Sequence, residues 1–192
     1  AFHTAAEYLE ETLRHRRRLR DPIATARTMT TLGEVKFSMG ELERSITLHR
    51  EALSIRERLD DRRGQVLTLN GLGAVRYHNG EGDEAMRLWK RAAGLASELG
   101  DLAQHALAQI HLGDAQLEQG DLDQAEPALN GALEDAEELG LAWVRGLALG
   151  QLSLLQLARK QEPRALELAE EALELGYSVE SKQVISRALL AK

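Results

Sequence analysis

Apolar residues recur at helical spacing along the chain, and the whole pattern repeats every 40 residues. Ala92, Leu95 and Leu99, for example, follow an i, i+3, i+7 spacing. This spacing places apolar side chains on one face of an α-helix, and the strict alternation of a half-buried strand is absent. The pattern therefore predicts an all-α chain made of helical hairpins.

Four in-phase copies of one segment define the repeat. Each starts with a leucine and a small residue, and three have a glycine seven residues further on, where a helix must end in a left-handed conformation. These pairs are Leu32-Gly33, Leu72-Gly73, Leu112-Gly113 and Leu152-Ser153, and the turn glycines are Gly40, Gly80 and Gly120, with Lys160 in the fourth copy. Each new hairpin is expected to begin after a helix cap at Asp21, Asp61, Asp101 or Ser181. A fixed period of this length is typical of stacked-repeat solenoids.

The period divides residues 1–192 into one solenoid of whole and partial hairpins. Residues 1–21 match the second helix of a truncated repeat, and residues 182–192 match the start of a fifth. The full repeats between them are 22–61, 62–101, 102–141 and 142–181. Because both ends lack the polar capping helices that solenoids need, we expect a fragment of a longer protein, able to associate with itself through its open ends.

Composition indicates a globular chain, with 43% hydrophobic and 29% charged residues. The sequence has no cysteine, which excludes a disulfide framework and cysteine-ligated metals. It also has neither an apolar run long enough to cross a membrane nor the pattern of a signal peptide, so we predict a cytoplasmic protein without a membrane partner.

The order of these positions resembles the tetratricopeptide repeat: Leu-Gly, a large apolar residue, Gly followed by Asp or Glu, and two small positions. The 40-residue form is similar to that of bacterial STAND-class ATPases, maltose-activator-like regulators and antibiotic regulatory proteins. The resemblance covers essentially the whole chain and implies a right-handed α-α superhelix (TPR solenoid) of antiparallel helix pairs. The fourth copy departs from the pattern at Ser153 and Lys160, and the first at Ser45.

The resemblance also implies a function. Proteins of this family are protein- or peptide-binding scaffolds, here a sensor or regulatory module of a larger bacterial transcriptional regulator. The alternative is a purely structural or oligomerisation segment without a peptide ligand.

In the family, the first helix of each hairpin lines a peptide-binding groove. Carried over copy by copy, the groove positions include Thr30, Glu34, Phe37, Asn70, Tyr77, His78, Ile110, Asp114, Leu117, Glu118 and Leu154. An equally weighted alternative is that Phe37, Tyr77, Leu117 and Leu157 simply pack between hairpins. The lysine and asparagine of the family's carboxylate clamp are not matched, because Thr30 and Glu34 occupy those positions in the first copy.

Catalytic and metal-binding motifs are absent from the sequence, so we predict no enzyme, no cofactor and no metal. His111, Asp114 and Glu118 share one helix face, but this spacing fits a solvated polar face far better than a metal site. A basic run from Arg14 to Arg20 suggests contact with nucleic acid. Residues 1–61 carry as many acidic as basic residues, however, which argues against such contact.

The hairpin at residues 102–141 is strongly acidic, with nine acidic residues and neither lysine nor arginine. Glu134, Asp135, Glu137 and Glu138 crowd a predicted helix C-terminus, where negative charge is unfavourable. One interpretation is a plain solvated surface. The other is an acidic patch that binds a basic partner, either a protein or peptide or another domain of the same parent chain.

Overall fold

The computed structural model describes residues 2–190, in which every regular element is an α-helix. The helices are α1 (Phe2–Arg18), α2 (Pro22–Ser38), α3 (Leu42–Arg58), α4 (Arg62–His78), α5 (Gly82–Leu99), α6 (Leu102–Glu118), α7 (Leu122–Glu138), α8 (Ala142–Ala158), α9 (Glu162–Ser178) and α10 (Lys182–Leu189). The predicted all-α repeat is confirmed. The predicted first segment, 1–21, and the predicted fifth repeat, 182–192, both extend outside the described residues, by residue 1 and by residues 191 and 192. None of the described helices is both long and apolar enough to span a membrane.

The chain forms two compact units, which are described separately. The first unit ends at Leu95 and the second begins at Ala96. In the first unit, buried apolar residues of α1, α2 and α3 form one cluster that includes Ala26, Met29 and Leu32. In the second unit, Leu129, Leu152 and Leu168 belong to one apolar cluster. Each unit therefore buries its core between neighbouring helix pairs.

Helix ends lie where the local sequence predicts them. Asp21, Asp61, Asp101 and Ser181 each accept a hydrogen bond from the backbone N–H three residues later, at 2.9, 3.0, 3.2 and 3.4 Å. Gly40, Gly80 and Gly120 take φ values of 78°, 82° and 79°, and Lys160 takes 60° at the same turn of the fourth repeat. A lysine in this conformation costs about 1 kcal/mol or more relative to glycine, so the fourth turn keeps its geometry at some expense of stability.

In the first three full repeats, a glycine on the first helix faces a large residue on the second. A Cβ atom on Gly73 would lie 2.4 Å from Nε1 of Trp89 on α5, and one on Gly113 would lie 2.5 Å from Leu129 on α7. Trp89 is fully buried and donates a hydrogen bond of 3.2 Å to the carbonyl oxygen of Asn70. Trp89 is thus a core residue of its own hairpin rather than a ligand contact.

Pro127 lies inside α7, which extends from Leu122 to Glu138. The helix therefore does not start late to avoid the proline, and Pro127 contributes no N–H to the helical hydrogen bonds. Pro163, by contrast, lies at the beginning of α9, where a missing N–H has no cost.

Candidate peptide-binding face

In the first unit, the first helices of two hairpins present one exposed stripe each. Beyond its first two residues, α2 exposes Arg27, Thr31, Glu34 and Ser38, which are spaced three or four apart and hence lie on one face. On α4 the matching positions are Leu67, Gly71, Ala74 and His78, of which Leu67 and His78 are exposed. We call these eight residues the first-helix face.

An aromatic cluster links the two helices at one end of this face. The rings of Phe37 and His78 lie 5.0 Å apart, and those of Tyr77 and Trp89 lie 5.6 Å apart. Phe37 and Tyr77 are half-buried, whereas His78 is exposed. Phe37 and Tyr77 therefore pack between helices, and part of each ring stays accessible beside the first-helix face. Packing between hairpins and a position at the edge of a groove are thus compatible for these two residues.

Three predicted groove residues are turned into the protein. Thr30, Asn70 and Ile110 are only 6%, 7% and 5% exposed. The hydroxyl of Thr30 lies 3.3 Å from that of Thr68, which in turn accepts a hydrogen bond of 2.8 Å from Arg56. Because these three side chains are buried, they are not accessible to a peptide on this face, unlike the other residues predicted for α2 and α4.

Glu34 is the acidic residue of the first-helix face. Neighbouring side chains desolvate its carboxylate and raise its pKa, although the residue as a whole is exposed, and the positive charge of Arg56 partly offsets this rise. A carboxylate that has already lost part of its hydration gives up less on contact with a partner. Glu34 is thus an acidic side chain of the first-helix face that solvent can still reach.

The second unit presents a more closed face on α6, α8 and α10. Arg187 of α10 donates a hydrogen bond of 2.8 Å to Asp114 of α6. Its aliphatic stem passes over Gly150, where a Cβ atom would lie 3.2 Å from Cγ of the arginine. Desolvation raises the pKa of Asp114, while Arg187 and a hydrogen bond from Gln151 act in the opposite direction. The carboxylate of Asp114, a predicted groove residue, thus already accepts a hydrogen bond from an arginine of the same chain.

The other predicted groove residues of this unit differ in exposure. Leu117 and Leu154 are half-buried and Glu118 is exposed, while Leu157 is 40% exposed. Leu157 therefore projects further into solvent than Leu117, its equivalent in the preceding repeat. In the second unit, the accessible residues among the predicted groove positions therefore lie toward the C-terminal ends of α6 and α8.

Two residues of the acidic patch contact side chains on other helices. Asp135 lies 2.5 Å from Nδ1 of His105 and is largely buried, and Glu137 lies 3.4 Å from Nε of Arg145. Glu134 and Glu138 are exposed. The four residues are thus not one uniform patch, and the freely presented charge belongs to Glu134 and Glu138.

No metal site accompanies these acids in the described part of the chain. Within residues 2–190, no group of three or more histidine, aspartate or glutamate side chains is placed to hold an ion. His111, Asp114 and Glu118 accordingly do not converge on a common point.

Arg27, Thr31 and Leu67 of the first-helix face are not among the groove residues predicted from the sequence. Leu67 is 46% exposed. Helical spacing could have identified these three residues. Arg27 and Thr31 lie seven and three positions before Glu34, and Leu67 lies seven positions before the equivalent of Glu34 in the next repeat, so each shares that helix face.

The sequence of the chain matches models of a known protein family. Two models described as "Tetratricopeptide repeat" match residues 25–59 and residues 65–138, together more than half of the chain. The chain belongs to the tetratricopeptide repeat family. Its fold is accordingly the all-α repeat superhelix of TPR proteins. A search of curated proteins found no significant match.

Solved TPR-like structures superpose on most of the chain at low sequence identity. BtubC (BKLC) from P. vanneervenii has a TM-score of 0.83 at 19% identity, covering 100% of this chain and 81% of that one. The STAND protein with a tetratricopeptide repeat sensor from Pyrococcus horikoshii has a TM-score of 0.82 at 17% identity, covering 99% of this chain and 29% of that one. The TPR2AB domain of yeast Sti1, solved as a complex with pHSP90, has a TM-score of 0.51 at 15% identity, covering 97% and 79%. At these identities the similarity shows the fold.

Proposed function

We propose that this TPR chain is a protein- or peptide-binding scaffold that serves as the sensor or regulatory module of a larger, cytoplasmic bacterial regulator. The observation that carries the proposal is the first-helix face, where Leu67 and His78 are exposed although the core does not require them there. The similar archaeal STAND protein contains a TPR sensor, and the similar Sti1 domain was solved with pHSP90, both of which support a binding role.

The chemistry of the face suits an extended peptide. Leu67 and the Phe37–His78 ring pair offer apolar contact, while Glu34, Thr31 and Ser38 offer hydrogen-bonding groups along α2. Burying an apolar side chain against such a surface contributes about 1.5–3 kcal/mol, and polar contacts fix the register of the peptide. The face therefore fits a segment with at least one apolar side chain flanked by polar groups.

Charge favours a basic partner for the second unit. The sequence after Leu95 carries 17 acidic and 7 basic residues, a net charge of −10. Such a field raises the association rate of cationic partners and weakens with salt. We expect the affinity of any partner bound through Glu134 and Glu138 to fall as salt is raised, and to fall less steeply in the Glu134→Gln/Glu138→Gln variant.

Peptide display provides the main test of the scaffold. Random 12-residue peptides are selected on the whole chain, and the affinities of enriched peptides are then measured by fluorescence anisotropy. The Leu67→Ala/His78→Ala variant is expected to weaken binding at least fivefold, because it removes the exposed leucine and the exposed ring of α4 from the face.

A matched control changes exposed residues of second helices instead. Thr47→Ala/Arg87→Ala alters α3 and α5 outside the face and is expected to leave affinity unchanged. A failure to enrich any peptide, or equal losses in both double variants, would contradict the proposed binding face.

A second candidate, an oligomerisation segment, is favoured by one observation on α1. Tyr8 is 71% exposed, although the equivalent residues Leu48, Leu88 and Leu168 are buried. If association is the function, light scattering is expected to show a concentration-dependent mass that Tyr8→Ser abolishes. A constant monomer mass at two concentrations would remove this candidate.

A further inference from the structure

A pocket of about 570 Å³ lies in the first unit, away from the first-helix face. It is formed by the end of α1, the beginning of α2 and the C-terminal half of α3. Its volume falls within the range of small-molecule sites, roughly 300–1,000 Å³. None of its lining residues belongs to the first-helix face, so a ligand here would leave that face accessible.

Three arginines and two carboxylates line the pocket, and the carboxylates are already engaged. Glu51 pairs with Arg17 at 3.1 Å, and the side chain of Asp21 accepts the backbone N–H of Ala24 at 2.9 Å. The three arginines and two carboxylates leave the pocket with one more positive than negative charge, and two of the guanidinium groups have no carboxylate partner within residues 2–190.

These two groups belong to Arg20 and Arg58. The side chain of Arg20 makes no hydrogen bond or ion pair with any residue in the range 2–190, and that of Arg58 contacts only the hydroxyl of Ser54, at 3.0 Å. Arg20 also takes a φ of 55°, the left-handed conformation that Gly100 and Gly140 take at equivalent turns. An arginine thus occupies a backbone position that favours glycine, and its guanidinium is left available at the pocket.

The remaining lining of the pocket is largely apolar. Pro22 and Ile55 supply accessible hydrocarbon surface next to the arginines, and the buried Met29 lies at the base of the pocket. A small inorganic ion would leave this surface uncovered, whereas an aliphatic group would cover it and gain about 25 cal/mol per Å² buried. The planar guanidinium matches a carboxylate with two parallel hydrogen bonds.

We propose that this pocket binds an organic anion in which a carboxylate adjoins an aliphatic chain. The carboxylate lies between Arg20 and Arg58, and the chain packs on Met29 and Ile55. A free organic acid and the glutamate of an acidic, leucine-bearing protein segment share this chemistry. Ligand binding here would bridge α1, α2 and α3 and stabilise the first unit by mass action.

Nuclear magnetic resonance titration of the whole chain tests the proposal. The probes are sodium hexanoate, acetate, 1-hexanol, inorganic phosphate and N-acetyl-leucyl-glutamyl amide, and the signals are the backbone amides of Thr25 and Ser54. We expect hexanoate, the dipeptide or both to bind at least tenfold more tightly than acetate, phosphate and hexanol. Tighter binding of hexanoate indicates a free organic acid, and tighter binding of the dipeptide indicates a protein segment.

Substitutions separate the pocket from the general charge of the unit. Arg20→Gln/Arg58→Gln is expected to weaken binding at least tenfold, while Arg44→Gln/Arg87→Gln, with the same loss of charge outside the pocket, leaves it unchanged. Arg20→Gly suits the left-handed turn and keeps the fold, so its loss of affinity reports on the guanidinium alone. Equal weakening by both double variants overturns the proposal. So does binding of phosphate or hexanol as tight as that of hexanoate, or the absence of binding by both carboxylate probes.

Discussion

Replacing Gly73 with alanine is expected to destabilise the first unit by about 3 kcal/mol, the upper end of the range for overpacked cores. The added Cβ would lie 2.4 Å from Nε1 and 2.7 Å from Cδ1 of Trp89. Trp89 is 2% exposed and its Nε1 is hydrogen-bonded to the carbonyl of Asn70, so the ring cannot move without losing that bond. Urea unfolding followed by circular dichroism at 222 nm measures the loss.

A glycine in the same unit provides a control of opposite sign. Gly94 lies within α5 with open space where its Cβ would be. Gly94→Ala should therefore stabilise the helix by about 0.5–1 kcal/mol, because alanine loses less backbone entropy. If Gly73→Ala and Gly94→Ala had the same effect, the close approach of α4 and α5 would not limit stability.

A double variant tests whether the two residues act as a pair. The fourth repeat has Ser153 and Ala169, both fully buried, at the positions of Gly73 and Trp89. Gly73→Ser combined with Trp89→Ala is therefore expected to cost at least 1 kcal/mol less than the sum of the single changes. Additive losses would show that the pair is not coupled.

Local chemistry explains why the helix ends could be predicted from sequence. The cap at Asp61 depends only on the N–H of Gly64, and the turn at Gly80 depends only on a positive φ. Both requirements lie within a few residues of the chain, where one residue type is strongly favoured. The 40-residue period then places every hairpin once one has been recognised.

Exposure within each helix could not be predicted in the same way. Thr30 and Glu34 lie one turn apart on α2, yet Thr30 is buried, and its hydroxyl lies beside that of Thr68 on α4. Asp114 is satisfied by Arg187, which lies 73 residues away. Such contacts depend on how repeats pack on one another, and a single sequence does not specify that packing.

The acidic hairpin shows the same limit. Sequence offered no local partner for Asp135, but the fold brings His105 of the paired helix to 2.5 Å. Asp135 near the end of α7 thus has a hydrogen-bond partner within its own hairpin. The exposed residues Glu134 and Glu138 retain the prediction of a basic partner.

His49 is a buried histidine whose ring is held between two helices. A Cβ on Gly33 of α2 would lie 2.8 Å from its Nε2, and one on Gly71 of α4 would lie 2.7 Å from its Cε1. The residue is 0% exposed, and neither ring nitrogen has a hydrogen-bond partner in the described chain. Burial lowers its pKa to about 4, and the positive charge of Arg56 contributes in the same direction. Leu129 occupies the equivalent position in the third repeat, so the space accepts an aliphatic side chain.

The second large effect is therefore expected from His49→Leu. At pH 7.5 the histidine is neutral in both the folded and unfolded states, and the variant should be more stable by about 1–3 kcal/mol because no polar nitrogen is buried without a partner. As the pH falls below about 6.5, the unfolded chain binds a proton that the folded unit rejects until about pH 4. The wild-type protein should then lose about 2 kcal/mol more than the variant by pH 5.

Urea unfolding at both pH values measures this difference, with Trp89 as the fluorescent reporter in a Trp143→Phe background. Trp89 lies in the first unit and Trp143 in the second, so the background confines the signal to the unit that contains His49. His15→Gln is the matched control, because the His15 side chain is 62% exposed. It should keep the wild-type dependence on pH. An unchanged dependence in His49→Leu would show that this ring does not carry the acid sensitivity. A smaller loss of stability at pH 5 in His49→Leu would show that the buried imidazole of His49 makes the first unit unfold more readily in mild acid.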